Sequence, residues 1–286
     1  MAAPRPPVPL SLAKPVEGIP ASAALPGGCV YEPKWDGFRV AVHVDVQGAG
    51  IWSRAGKDLT ARFPDLAEAA AEQIPPGYIL DGEAVVWAGE RLDFAALQSR
   101  MSAGRRTLPA LVRQAPASLA VFDMLALAGT DIRELPLHVR RELMVELAAD
   151  WEPPLNLSPA TMDRDEAAVW FSDLASAGIE GLVVKGAGQT YTGDRQWLKV
   201  RHRHPVDVVC AAVLGSVHRP SVLVLGLPSG SRLRIVAGPY RSSRAPPGSP
   251  AGSWNPPTQT IHGPRRSALE SWTGSRAGPI RYASPG

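Results

Sequence analysis

The sequence predicts an α+β chain. Residues 38–45 alternate apolar and polar side chains with period two, the mark of a half-buried strand. Short apolar runs at 78–87, 118–125 and 180–185 read as further strands. Helical periodicity marks 62–74, 137–149 and 163–177 between them. The 286 residues suffice for one large domain or two modest ones.

The chain is organised around Glu32-Pro-Lys-Trp-Asp-Gly-Phe-Arg39. Residues 1–28 are rich in Pro and Ala, and only Leu10–Lys14 is suited to packing, so an extended arm over the domain is expected. Cys29–Tyr31 enters extended, and a strand–turn–strand reading places Lys34 in the turn between paired strands. Lysine attacks phosphorus or carbon only as the neutral amine, which requires nearby cations, a metal or desolvation. Asp36 stands two residues on, able to orient the amine, and Gly37 lets backbone approach a ligand. A solvated hairpin turn has the same Lys-x-Asp-Gly string, so the remaining parts decide.

Ile51–Lys57 is a short strand and a turn, where Arg54 alone reads as a surface arginine. Arg62–Ile74 reads as a helix with Phe63, Leu66, Ala70 and Ile74 on one face and Thr60 as N-cap. Tyr78–Trp87 is apolar except at Asp81-Gly-Glu83. That interruption is either a turn between short strands or a pair of carboxylates for metal or ribose. The direct run from Glu83 into Ala-Val-Val favours the second reading. Asp93–Met101 reads as a helix and 103–117 as a Pro/Arg-rich loop. Phe122 in the strand Ser118–Leu125 is core, or a face on which a base stacks.

Leu137–Ala149 buries Leu143 and Leu147 and turns Arg140-Arg141 outward as a basic face. Asp163 caps a helix that runs to Ala177 and stops at Gly178. Glu180-Gly-Leu-Val-Val-Lys185 is a buried β run with an acid at its head and a base at its end. In Arg195–Arg201, Lys199 and Arg201 lie two apart on one strand face, where two cations suit a polyphosphate.

Composition narrows the classes. Cys29 and Cys210 support neither a disulfide framework nor a zinc site. With no run of eighteen apolar residues and no basic-then-apolar leader, a soluble cytoplasmic protein is expected. The net charge of +3 sits in the tail: from Tyr240 onward six arginines face one glutamate, which leaves the body slightly acidic.

Six strings then stand in one order: Lys34-Trp-Asp-Gly37, Ser53-Arg54, Asp81-Gly-Glu83, Phe122-Asp123, Glu180-Gly-Leu-Val-Val-Lys185 and Trp197-Leu-Lys199. The chain resembles the covalent nucleotidyltransferase superfamily of ATP-dependent DNA ligases, RNA ligases and mRNA capping enzymes. It is most similar to small bacterial type C DNA ligases and to the ligase domain of end-joining ligase D. The resemblance covers roughly residues 8–203 and implies an adenylation domain of packed antiparallel sheets with flanking helices, at residues 1–203. It implies Lys34 as the nucleophile that takes AMP from ATP, Glu32 near the adenine amino group and Phe122 stacked on the base. Glu83 and Glu180 resemble acids for ribose or Mg²⁺ (or Mn²⁺). Arg39, Lys185 and Lys199 resemble phosphate contacts, and Arg54 the residue that meets a nick 5′-phosphate. Arg201 stands where the family usually has a second lysine, which keeps the charge and changes the geometry. The implied partners are nicked double-stranded DNA and bacterial end-joining or repair proteins, with a monomer as the default.

Beyond residue 203, Val206–Gly215, Ser221–Leu227 and Arg232–Ala237 read as strands of a partial OB-fold over 204–240. Residues 241–286 are rich in Pro, Ser, Gly and Arg and are expected to be a disordered basic tail that cannot finish a barrel. The family's C-terminal basic motif has no match there, and such an end resembles a frameshifted or degenerate one. Two other readings follow: a remnant that binds DNA or nucleotide without catalysis, and an RNA ligase or GTP-using capping enzyme.

Overall fold

The computed structural model describes residues 4–202, 205–216, 219–230, 232–241 and 279–283. The chain divides into two compact units, Met1–His202 and Arg203–Gly286. In the first unit the strands are β1 (Ala13–Pro15), β2 (Cys29–Pro33), β3 (Phe38–Asp45), β4 (Gly48–Ser53), β5 (Tyr78–Ala88), β6 (Arg91–Leu92), β7 (Ala117–Leu127), β8 (Thr130–Asp131), β9 (Leu155–Leu157), β10 (Gly181–Gly186) and β11 (Trp197–Arg201). The helices are α1 (Pro64–Gln73), α2 (Phe94–Ser102), α3 (Leu108–Gln114), α4 (Leu137–Leu147) and α5 (Arg164–Asp173).

Two sheets carry the unit. One runs in the order β4-β3-β5-β7-β8, with β6 on β5 and β9 on β7; the other runs β1-β11-β10-β2. Side chains sort by strand parity. Val40, Val42 and Val44 of β3, with Leu80, Ala84 and Val86 of β5, meet Phe63 and Leu66 beside α1, Leu97 of α2 and Met144 of α4. Ala41, Ile79, Phe122 and Leu125 face the other way and pack with Trp197, Tyr191 and the arm residues Val8 and Leu10. Outside the smaller sheet, Tyr31, Leu182 and Val184 pack on Ala167 of α5. The layers are therefore helices, sheet, sheet, helix, and the arm is part of the core between the sheets.

Several sequence readings are corrected. β2 pairs with β10, whereas β3 pairs with β4 and β5. Lys34 therefore sits in a crossover between two sheets, not in a hairpin turn; alternation marks a strand without naming its partner. β5 is continuous through Asp81 and Glu83, with no turn. Thr60 does not cap α1: its hydroxyl accepts from Ile51 N and donates to Asp58, while Pro64 opens the helix after Phe63. α3 lies inside the stretch read as a loop, with its proline in the first turn, where a missing N–H costs nothing. α5 ends at Asp173, short of Ala177. Asp93 and Asp163 do cap their helices, accepting from Ala96 N and from Asp165 N.

In the second unit β12 (Pro205–Ser216), β13 (Arg219–Ser229), β14 (Arg232–Arg241) and β15 (Pro279–Ala283) form one antiparallel sheet in the order β14-β13-β12-β15. Three of these cover the strands expected there. β15 lies within the segment expected to hold none, and pairs with β12 from Pro205↔Ala283 to Val209↔Pro279. Residues 242–278, the rest of the expected tail, lie outside the described residues.

Gly181 starts β10 at φ +143°, and a Cβ there would stand 2.0 Å from the Val200 carbonyl oxygen and 2.9 Å from Arg201 Cα. Gly48 has a similar φ of +134° with nothing within 4 Å. Gly48→Ala is expected to lose about 1–2 kcal/mol from backbone strain alone. Gly181→Ala is expected to lose roughly 2 kcal/mol more, because neighbouring backbone must move. Urea unfolding of both variants separates strain from contact, and equal losses would refute the contact argument.

Candidate active site

A cleft of about 560 Å³ lies between the two sheets of the first unit. Its wall includes Glu32, Lys34, Arg39, Arg54, Glu83, Phe122, Lys185, Lys199 and Arg201. Glu180 joins them by an ion pair from its Oε2 to Lys34 Nζ. The amine's acidic partner is Glu180, where sequence spacing suggested Asp36. Lys34 is fixed from both sides of its peptide: its N–H donates to Gly181 O at 2.9 Å, and its carbonyl accepts from Glu180 N at 2.9 Å. Arg201 Nη2 also reaches Glu180 Oε2, at 3.4 Å.

Strand register explains the grouping. Glu32 pairs with Val183, and Val183 with Lys199, so the three lie abreast on one face. Gly181 pairs with Arg201, which places that arginine beside the crossover. On the facing sheet Arg39 is directly opposite Glu83 and one diagonal step from Asp81. Between β5 and β7 the register passes from Asp81↔Asp123 to Gly82↔Val121, leaving Phe122 as the extra residue of a bulge. A bulge puts two successive side chains on one side. Phe122 and Asp123 therefore both serve the space between the sheets.

Lys185 is fully buried. Its amine meets Glu32 Oε2 at 2.8 Å, the Phe122 carbonyl at 2.8 Å and Asp123 Oδ2 at 3.9 Å. It also lies 4.7 Å from the Phe122 ring centroid and 4.4 Å from that of Trp197. Arg39 donates to both oxygens of Asp81, at 3.0 and 2.6 Å, and Tyr191 donates to Asp81 Oδ2 at 2.6 Å. Arg140 is no surface cation. It is 1% exposed and grips Asp123 through two bonds of 2.8 and 3.0 Å. Helical phase placed it outward, but α4 lies across the end of β7, and its buried face includes this arginine.

Lys199 and Arg54 make no hydrogen bond or ion pair among the described residues. Desolvation lowers the Lys199 pKa, helped by the charges of Arg201, Lys34 and Arg195. An anion would relieve that crowding. Glu83 likewise has no hydrogen bond or ion pair among the described residues, and desolvation pushes its carboxyl from 4.5 up to about 8. Arg39 and Lys34 pull it down, while Asp81 and Glu180 add to the rise. Glu32 is also raised, by burial first, with Lys185 and Arg141 opposing. Its Oε1 is buried without a hydrogen-bond partner.

These features suit a nucleoside triphosphate. Unpaired cations meet phosphates, an aromatic ring meets a base, and a carboxylate oxygen without a donor meets an amino group. No cluster of three or more His, Cys, Asp or Glu side chains that could hold a metal occurs among the described residues. Mg²⁺ ordinarily uses one or two carboxylates plus substrate phosphates, which Glu83 and Glu180 satisfy.

The family model described as ATP dependent DNA ligase domain matches residues 10–201. The chain belongs to that family. It is 37% identical over 207 residues to DNA ligase C2 of Mycolicibacterium smegmatis, covering 72% of this chain and 57% of that protein. DNA ligase C of Mycobacterium tuberculosis is 35% identical over 211 residues, with the same 72% and 57% covered. The chain thus spans little more than half the length of these curated relatives. Among solved structures, a mycobacterial DNA ligase D complexed with ATP and MES superposes with TM-score 0.54 at 27% identity, covering 80% of this chain and 72% of that one. The M. tuberculosis ligase D ligase domain gives TM-score 0.52 at 27% identity, covering 82% and 74%. No helix among the described residues is long and apolar enough to cross a membrane.

Sequence reasoning missed Asp81 as the anchor of Arg39, Tyr191 as its second partner, and the Asp123–Arg140 pair. The expensive carboxylates inside apolar runs were the signal for the first and third; Tyr191 stands in an unpatterned loop and gave none.

The Glu83 carboxyl has a testable pH signature. Its folded pKa lies above its unfolded one, so the folded state binds the extra proton between about 4.5 and 8. The stability this supplies is full below 4.5, declines across that window and is gone above 8. Glu83→Gln removes the titration. It is expected to leave the melting temperature unchanged near pH 5 and raise it by several degrees above pH 8. A difference that does not grow with pH contradicts the buried, unpartnered carboxyl.

Proposed function

We propose that the chain is an ATP-dependent DNA ligase that seals nicks between a 3′-hydroxyl and a 5′-phosphate through a lysyl-AMP intermediate. The observation that carries this reading is Lys34: a lysine pinned by its own peptide in a crossover between two sheets, with its amine on Glu180 in a cleft where Lys199 and Arg54 have no carboxylate partner among the described residues. Phosphoryl transfer needs in-line placement and charge compensation more than covalent help. Lys34 Nζ attacks the α-phosphorus of ATP, the α–β bridging bond breaks, and pyrophosphate leaves with the electron pair. AMP then passes to the 5′-phosphate of a nick, and the neighbouring 3′-hydroxyl displaces AMP to close the strand.

Lys199, Arg201 and Arg54 compensate phosphate charge in this scheme, and Phe122 offers its ring to the base. Arg39, held by Asp81, and Lys185, held by Glu32 and Asp123, present fixed positive potential from the cleft walls. Glu83 and Glu180 would hold the divalent cation, which supplies Lewis-acid charge neutralisation on phosphate oxygens when bound. The second unit is read as an OB-type module that meets the duplex. A nicked duplex is the partner, its phosphates giving salt-dependent affinity. A monomer working in the bacterial cytoplasm with end-joining or repair proteins completes the reading.

Incubation with α-labelled ATP and Mg²⁺, followed by a denaturing gel, tests it. Wild-type protein is expected to carry label, and Lys34→Ala to lose it by roughly 10³-fold or more. Label retained in the variant would sink the assignment of the nucleophile. If wild type takes no label, a pre-adenylylated nick tests sealing alone, and failure there too removes the ligase reading.

A further inference from the structure

The two oxygens of Glu32 are treated unequally. Oε2 pairs with Lys185 at 2.8 Å. Oε1 faces Arg141 Nη1 at 3.8 Å, beyond hydrogen-bond reach, and both of those atoms are buried without a hydrogen bond. Arg141 is fastened by its other amine, which donates to Ser158 O at 2.7 Å. Ser158 Oγ in turn accepts from the indole N–H of Trp35, next to Lys34, at 2.9 Å. Arg141 thus reaches from α4 to the back of the cleft wall.

Three charged groups face Glu32: Lys185 from β10, Asp123 from β7 and Arg141 from α4. Arg140 is spent on Asp123. Lys185 is divided between Glu32, Asp123 and the Phe122 carbonyl. Among the described residues, Arg141 is the cation whose carboxylate partner is Glu32 alone.

We propose that Arg141 is a positioning residue that holds Glu32 as an ionised acceptor and thereby selects adenine over a 6-oxopurine. This deepens the ligase reading and rests on it. An ionised carboxylate only accepts hydrogen bonds, and the 6-amino group of adenine donates one. The 6-oxygen of hypoxanthine or guanine accepts, so it meets a carboxylate as acceptor against acceptor. Without Arg141 only Lys185 opposes the burial that favours the neutral carboxyl, so Glu32 shifts further toward the protonated form, a donor that suits the oxo base.

The test uses the full chain with Arg141→Met and Arg141→Lys. Lysyl labelling from α-labelled ATP and from inosine triphosphate, which lacks the 6-amino group, is followed from pH 6 to 9. Separately, the Glu32 carboxyl is titrated by ¹³C NMR without nucleotide, its signal assigned with Glu32→Gln. Arg141→Met is expected to move the Glu32 midpoint up by about one pH unit, a tenfold change in proton affinity. It should raise the inosine-to-adenosine labelling ratio about tenfold near pH 6, fading toward pH 9, while Arg141→Lys keeps the wild-type ratio. A purely structural arginine would weaken both nucleotides equally at every pH, and that result overturns the proposal. An unmoved Glu32 midpoint in Arg141→Met overturns it whatever the labelling shows. Wild type that takes label from neither nucleotide overturns the base selection, and the ligase reading falls with it only if a pre-adenylylated nick is not sealed either.

Discussion

Lys185 has its amine between two carboxylates with no access to water, and the space between the sheets is arranged around it. Moving an ammonium out of water costs several kcal/mol even after relaxation. The compensating carboxylates come from different sheets, Glu32 on β2 and Asp123 on β7. Two aromatic faces, Phe122 and Trp197, complete the enclosure from opposite sheets. Such a cluster is rarely more stabilising than an apolar core of equal volume, whereas removing one member leaves an uncompensated buried charge at a cost of roughly 3–5 kcal/mol. Its consequence is therefore geometric. The cluster ties the two sheets together at the wall of the cleft, through Lys185 to Asp123 and the Phe122 carbonyl.

The bulge in β7 makes this cluster possible. A regular strand would alternate Phe122 and Asp123 between opposite faces. With Phe122 as the extra residue, its ring and the Asp123 carboxylate turn to the same side, and a second register shift past Met124 does the same for Leu125 and Ala126. Val121 before it and Met124 after it then both face the helices, as Leu125 and Ala126 face the arm and Trp197. One inserted residue supplies a stacking surface and an anchor for both Arg140 and Lys185.

What the sequence disclosed follows from which interactions are local. Periodicity found the long strands, and the six ordered strings found the residues that line the cleft. Side chains whose meaning depends on a distant partner were misread. Alternation at 38–45 looks the same whether the strand folds back on β2 or leaves for another sheet. The hairpin reading of Lys34 failed for that reason. Arg140 sits at a helical phase that suggests solvent until the β7 carboxylate beneath it is known. Thr60 resembles an N-cap by spacing alone, but the Ile51 N–H competes for its hydroxyl. β15 lies in a Pro- and Arg-rich stretch and draws its register from β12, so nothing in its own composition announces it.

The two acids opposite Lys34 illustrate how environment divides identical side chains. Glu180 is a third exposed and shares one oxygen between Lys34 and Arg201. Glu83 is drawn into the wall without a hydrogen-bond donor, and desolvation outweighs the pull of Arg39 and Lys34. Burial thus favours the neutral form of Glu83, while Glu180 lies partly in solvent beside two cations. The same side chain is placed in two different settings on one cleft. Glu180 is already paired with Lys34 and Arg201, while Glu83 has no hydrogen bond or ion pair among the described residues. Among the described residues, Lys199 and Arg54 are thereby left as cleft cations with no carboxylate partner, open to an anion.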